Sequence, residues 1–127
     1  MKSYLEELKK IERNVDGISI VADSYDADYD WAFLYSIGLY SLATSERMES
    51  LLEKMRDENK EGNKACIDKL HCVGNLIFGI YQIATAHTPS SDDSWALLEA
   101  IRVTAPDIQK NLSTLIKEME KEHEVPF

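Results

Sequence analysis

Glycine and proline are scarce, five and three in 127 residues. That excludes a chain dominated by loops or disorder. Cysteine is limited to Cys66 and Cys72, so no disulfide framework supports the fold. None is needed, because a chain of this length buries about two-thirds of the surface its unfolded form exposes. The two cysteines lie in an apolar stretch and are expected to be reduced core residues of a cytoplasmic protein. The run Trp31–Ser45 is too short for a bilayer and is broken by serines and a glycine, so no membrane partner is expected. The opening M-K-S-Y-L-E-E-L-K-K has no apolar core of a secretion signal.

Basic residues are the next shortage. Fourteen Lys and Arg face 23 Asp and Glu, leaving a net charge of −9. A nucleic-acid binder needs a basic footprint to displace counterions, so direct nucleic-acid binding is not expected. The shortage is local as well as global. Residues 16–30 hold Asp16, Asp23, Asp26, Asp28 and Asp30 and no cation. Tyr25, Tyr29 and Trp31 alternate with these acids.

Catalytic and cofactor patterns are missing too. There is no phosphate loop and no dinucleotide fingerprint. Asp26, Asp28 and Asp30 have the opening spacing of a calcium loop. Trp31 stands where that loop needs glycine, and Ile37 where it needs a bidentate glutamate. Asp68-x-x-His71 and Glu120-x-x-His123 have the spacing of di-iron bundle ligands, with Asp in place of Glu in the first copy. They define a metal-binding four-helix bundle as one alternative. Cys72 follows His71 directly, and helix neighbours point about 100° apart, so the two form no nucleophile–base pair. No catalytic residue, cofactor or metal ligand is assigned.

What the chain does have is helical periodicity throughout, with no strand-like alternation. Leu5, Leu8, Ile11, Val15, Ile18, Ala22 and Tyr25 mark a first helix to about residue 23. Ser3 and Glu6 form a capping box at its start, and Gly17 is a candidate break. A second helix spans about 26–59 on Trp31, Leu34, Ile37, Leu42, Ser45, Met48, Leu52 and Met55. Its first half is apolar nearly all round, which predicts burial on several sides or an oligomer interface. Gly62 stops it.

A third helix, 63 to about 87, carries Ile67, Leu70, Val73, Ile77, Ile80, Tyr81 and Ala84. The last holds Trp95, Leu98, Ile101, Ala105, Ile108, Leu112, Leu115 and Met119. Pro106 is expected to kink or split it, with Thr104 and Asp107 as a fresh capping box. The tail from about residue 122 is expected to fray. The predicted fold is all-α: one domain over 1–127, an antiparallel up-down bundle of four long helices. G-L-Y-S-L-A-T-S at 38–45 matches G-I-Y-Q-I-A-T-A at 79–86. The match suggests equivalent buried roles for the second and third helices.

S-I-G-L-Y at 36–40, V-G-N-L-I at 73–77 and A-L-L-E-A-I-R-V-T-A-P-D at 96–107 resemble the helices of a tetratricopeptide-type repeat. Gly38 to Gly74 spans 36 residues where that repeat takes 34. The resemblance implies a peptide-binding adaptor with a groove lined by Tyr40, Tyr81 and Trp95.

An up-down topology brings the first and third connections to one end of the bundle. Asp23, Tyr25, Asp26, Asp28, Tyr29 and Asp30 then join Asp92, Asp93 and Trp95 in one acidic, aromatic-bearing end. Such an end suits a protein partner with a basic surface, because carboxylates pair with cations and ring faces accept their stems. The opposite end collects Lys54, Arg56, Lys60, Lys64, Lys117 and Lys121 among acids. Acids in a first turn also offset the helix dipole without any partner. The function expected is a small non-enzymatic protein-binding module, in concrete form an inhibitor or immunity-type protein. Homodimerisation through the Gly- and Ser-bearing faces of the middle helices is the further partner expectation.

Overall fold

A computed structural model describes residues 2–24, 30–58, 64–86 and 94–122. Four helices account for nearly all of them: α1 (Lys2–Asp23), α2 (Asp30–Glu58), α3 (Lys64–Thr85) and α4 (Ser94–Glu122). No strand occurs among the described residues. Each helix packs on the two beside it around the ring α1–α2–α3–α4, with a smaller contact across the α2–α4 diagonal. The ring closes because α1 packs on α4, which gives one shared core rather than an open stack of helix pairs.

The core is most of the stripe that the periodicity marks, although Leu42, Ser45 and Tyr81, expected in it, are only half-buried. Leu8, Ile11, Val15, Ile18 and Ala22 of α1 meet Leu34, Ile37, Met48, Leu52 and Met55 of α2 in it. Leu70, Val73, Ile77, Ile80 and Ala84 of α3 join Leu98, Ile101, Ala105, Ile108, Leu112 and Met119 of α4. Tyr4 is buried as well, whereas Leu5 and Ile67 only pack against the rim. Ser41 and Thr44 are buried polar positions that the apolar stripe does not mark. Each satisfies itself within α2: Ser41 Oγ donates to the Ile37 carbonyl at 2.7 Å, and Thr44 Oγ1 to the Tyr40 carbonyl at 2.6 Å.

α1 runs unbroken through Gly17 to Asp23, as its apolar phase predicts. Other local expectations change. α1 already includes Ser3, so Ser3 does not precede the helix as a cap. α4 is one helix through Pro106, not two. Proline removes the donor that would serve the Arg102 carbonyl. Pro106 is exposed while Ala105 and Ile108 on either side are fully buried, so packing of the inward stripe holds the helix together. Thr104 Oγ1 donates back to the Ala100 carbonyl at 2.7 Å, the bond of a threonine inside a helix rather than at its start. The stop expected at Gly62, and the tail beyond Glu122, lie outside the described residues.

The matched segments 38–45 and 79–86 do not have equivalent roles. Leu39 is exposed where its counterpart Ile80 is buried, and Ser41 and Thr44 are buried where Gln82 and Thr85 are exposed. A Cβ on Gly38 would touch Thr85 and Ala84, whereas one on Gly79 would meet nothing within 4 Å. The cysteines are not core residues either. Cys66 is half-buried with its Sγ 3.7 Å from Met119 Sδ, and Cys72 is exposed. Six residues turn a helix by about 600°, so the two side chains diverge.

Candidate acidic pole and its neighbouring apolar face

Cross-helix contacts fix which helix ends lie together. Arg102 of α4 reaches Asp23 (Nε to Oδ1, 3.4 Å) and the Ala22 carbonyl (3.4 Å) at the end of α1. Gly38 of α2 lies against Ala84 and Thr85 at the end of α3. The end of α1, the start of α2, the end of α3 and the start of α4 therefore share one pole. The chain segments 25–29 and 87–93 connect these four ends. At the other pole Lys9 pairs with Glu120 (3.5 Å), Lys69 with Glu118 (3.7 Å) and Arg47 with Glu7 (3.2 Å).

This pairing divides the charge. Gln109 Nε2 donates to Asp16 at 2.9 Å, which sets the level of α1 against α4. Segments 14–45 and 72–109 are the stretches of sequence whose described residues lie on the first pole's side. They carry nine acids (Asp16, Asp23, Asp26, Asp28, Asp30, Asp92, Asp93, Glu99 and Asp107) and one base, Arg102. The remaining fourteen acids and thirteen bases nearly cancel. Almost all of the −9 thus belongs to one half of the chain.

The described members of the expected site have distinct situations. Asp23 is exposed and already paired with Arg102, which also binds Glu99 at 2.9 Å. The Arg102–Asp23 contact is an ion pair off the line of a hydrogen bond, since the Nε proton has no acceptor among the described residues. Asp30 and Trp95 stand in the first turns of α2 and α4, at the pole, as expected. Their side chains, and Tyr25, Asp26, Asp28, Tyr29, Asp92 and Asp93 altogether, lie outside the described residues. Lys54, Arg56, Lys64, Lys117 and Lys121 are exposed in the opposite half; Lys60 lies outside the described residues.

Beside the pole lies a surface that the acid pattern does not reveal. Tyr35, Leu39 and Tyr40 of α2 are 65%, 56% and 52% exposed, and Phe78 of α3 is 42% exposed. The apolar girth of α2's first half is thus buried on one side and left bare on the other. Gly38 marks the side of α2 that faces α3. From there Leu42 and Tyr35 lie about 40° and 60° further outward, and Leu39 about 100°. On α3, Gly74 would touch Met48 of α2 with an added Cβ, and Thr85 touches Gly38. Phe78 lies within about 40° of both, so it stands on the α2 side. The Phe78 and Tyr81 rings are 5.5 Å apart between centroids. Tyr35, Leu39 and Phe78 therefore form an exposed apolar face on α2 and α3, with Leu42 and Tyr81 half-buried beside them. Neither Trp31–Ser45 nor residues 72–86 contain a charged residue. Tyr40 points the other way, toward α1, so Tyr40 and Tyr81 do not line a common groove.

Two grooves lie elsewhere on the described residues. One of about 650 Å³ between α1 and α2 is lined by Tyr4, Lys10, Arg47 and Lys54 together with Glu6, Glu7 and Glu46. Lys54 Nζ sits 5.8 Å from the Tyr4 ring centre, and the buried Tyr4 hydroxyl has no partner among the described residues. Two of its cations, Arg47 and Lys10, already pair with Glu7. The other, about 320 Å³ between α3 and α4, has Val73, Leu76 and Leu115 beside Cys72, Lys69 and Lys110.

Among the described residues no group of three or more His, Cys, Asp or Glu is placed to hold a metal ion. Asp68 and His71 are exposed on α3 rather than turned into the bundle, and His123 lies outside the described residues. No described helix is long and apolar enough to cross a membrane. In comparison with known proteins, no family model matches the chain, and neither a curated protein nor a solved structure matches it.

Proposed function

We propose that this chain is a small, non-enzymatic protein-binding module of the cytoplasm, and that its acidic pole docks on a basic surface of a partner protein. An inhibitor or immunity-type protein is the concrete form of this reading. One observation carries it: nine acids share a half of the chain with a single base, and that base, Arg102, is already engaged by Asp23 and Glu99. Helix capping accounts for two or three acids at helix starts. It leaves the rest without intramolecular counter-charges of their own half. Surplus acid at one pole attracts Lys and Arg and speeds encounter with them, and the same charge repels nucleic acid and anionic lipid.

The test is to replace Asp26, Asp28 and Asp30 together by lysine and compare capture of partners from lysate with the parent chain. Loss of a captured band, with helical circular dichroism unchanged, supports the docking role. Unchanged capture by a folded variant assigns the three aspartates to helix starts alone. A matching triple replacement of Glu118, Glu120 and Glu49 in the neutral half is the control, and its capture is expected to equal that of the parent.

A further inference from the structure

The groove between α3 and α4 holds about 320 Å³, at the lower end of the range of small-ligand sites. Val73 and Leu115, both buried, form its floor, and the exposed Leu76 forms a wall. The two helices run antiparallel along it. Lys69 pairs with Glu118 at one end (3.7 Å). Equal rise from that pair sets Leu76 level with Asn111 and Lys110 at the other end, about 11 Å away. The two ends differ in charge. Glu118 is the only carboxylate in the lining, and Lys69 engages it. Lys110 makes no ion pair among the described residues, not even with Asp107 one turn earlier on α4. The Asn111 side chain beside it makes no hydrogen bond among them either. The Thr114 hydroxyl already donates to the Lys110 carbonyl at 3.0 Å. One end of an apolar trough therefore presents an ammonium and an amide, both unengaged.

We infer that this groove binds a small amphipathic carboxylate, with its apolar body on Val73, Leu76 and Leu115 and its anionic end on Lys110 and Asn111. Charge complementarity selects the occupant. A cationic ligand would meet Lys110 and find the one lining carboxylate already paired. A neutral ligand covers the floor but leaves the Lys110 charge without a partner. A carboxylate at one end of an apolar body satisfies both parts, and the lysine stems at the rim add apolar contact. The length of about 11 Å limits the body to an aromatic ring or a short chain. The inference stands apart from docking at the acidic pole, since it uses none of that pole's acids. The groove also carries its own reporter. Cys72 lines it and is exposed, so a seated ligand covers the thiol, whereas Cys66 does not line it.

The probe is 4-phenylbutyrate, with 4-phenylbutyramide as its uncharged match. Occupancy on the full chain is read as the rate of Cys72 alkylation by iodoacetamide, on mass-mapped peptides, with Cys66 as internal reference. Phenylbutyrate is expected to slow Cys72 severalfold at saturation and to leave Cys66 unchanged. Half-protection by the amide is expected to need about fivefold more ligand, the worth of one exposed ion pair. Lys110→Gln is expected to abolish this preference while the amide still protects, and Leu76→Ser to weaken both probes alike. Both positions are exposed, so helical circular dichroism is expected to stay that of the parent. Failure of both probes to protect Cys72 up to their solubility limits overturns the inference. Equal protection by the two in the parent chain overturns the selection of an anion, and a preference that survives Lys110→Gln puts the anion elsewhere and overturns it too. A concentration-dependent dimer in sedimentation that itself shields Cys72, with no effect of either probe, gives the groove to a second copy and overturns the inference.

Discussion

Two glycines five residues apart on α3 make a sharp test of the packing. Both lie in the helix interior, where glycine is less stable than alanine by about 1 kcal/mol. A Cβ at Gly79 meets nothing within 4 Å, so Gly79→Ala gains this difference in full, about 0.5–1 kcal/mol. A Cβ at Gly74 would sit 3.1 Å from Met48 Cγ, closer than ordinary van der Waals contact. Met48 is 1% exposed and has little room to move aside. Overpacking of that kind costs about 1–3 kcal/mol, which cancels or exceeds the helical gain. The two variants therefore separate by roughly 1–3 kcal/mol although the substitution is the same. Unfolding entropies near 2.1 cal/mol/K per residue convert 1 kcal/mol to about 4 °C for a chain of this length. Urea and thermal denaturation followed by circular dichroism are the assay. Gly79→Ala is expected to melt above the parent and Gly74→Ala at or below it. If Gly79→Ala is no more stable than Gly74→Ala, the outer side of α3 is covered and the α2/α3 geometry described above is wrong.

Four other outcomes follow from the same contacts. Ile77→Ala, at a fully buried position, is expected to lower stability by about 2–5 kcal/mol in urea denaturation. Thr44→Val is expected to stay within about 0.5 kcal/mol of the parent, because the lost hydroxyl bonds only a carbonyl that keeps its helical N–H partner. Arg102→Gln removes the cation between Asp23 and Glu99 and is expected to cost up to about 1 kcal/mol, a loss that shrinks when melting is repeated in high salt. In native protein Cys72 is expected to react with a thiol reagent well before Cys66, with mass-mapped peptides as the readout; equal labelling would contradict the burial of Cys66 against Met119.

The helices and their inward stripes were legible because burial on one side imposes a 3.6-residue period, and Leu34, Ile37, Met48, Leu52 and Met55 obey it. The side left bare was not legible. In W-A-F-L-Y-S-I-G-L-Y nearly every direction around α2 is apolar, so period alone cannot say where α1 and α3 stop covering it. That decision comes from Gly38 meeting Thr85 and leaves Tyr35 and Leu39 outside. The repeated octapeptide misleads for a related reason. Its phase is set by what precedes it: Leu34 and Ile37 turn Ser41 and Thr44 inward, while Val73 and Ile77 turn Ile80 and Ala84 inward. Pro106 reads as a break because local chemistry forbids one hydrogen bond, yet the buried Ala105 and Ile108 keep the helix whole. That the end of α1 and the start of α4 meet at one pole was legible as a consequence of topology. The engagement of Asp23 by Arg102, seventy-nine residues away, was not.

The uneven charge has a consequence for how the molecule is perceived from outside. A helix of 29 residues is about 44 Å long, whereas electrostatic influence in physiological salt fades over about 8 Å. A surface that meets one end does not sense the other. The isoelectric point near 4.7 is therefore an average that describes neither end. An anion-exchange resin would hold this protein by its head, tail outward, as a magnet holds a pin.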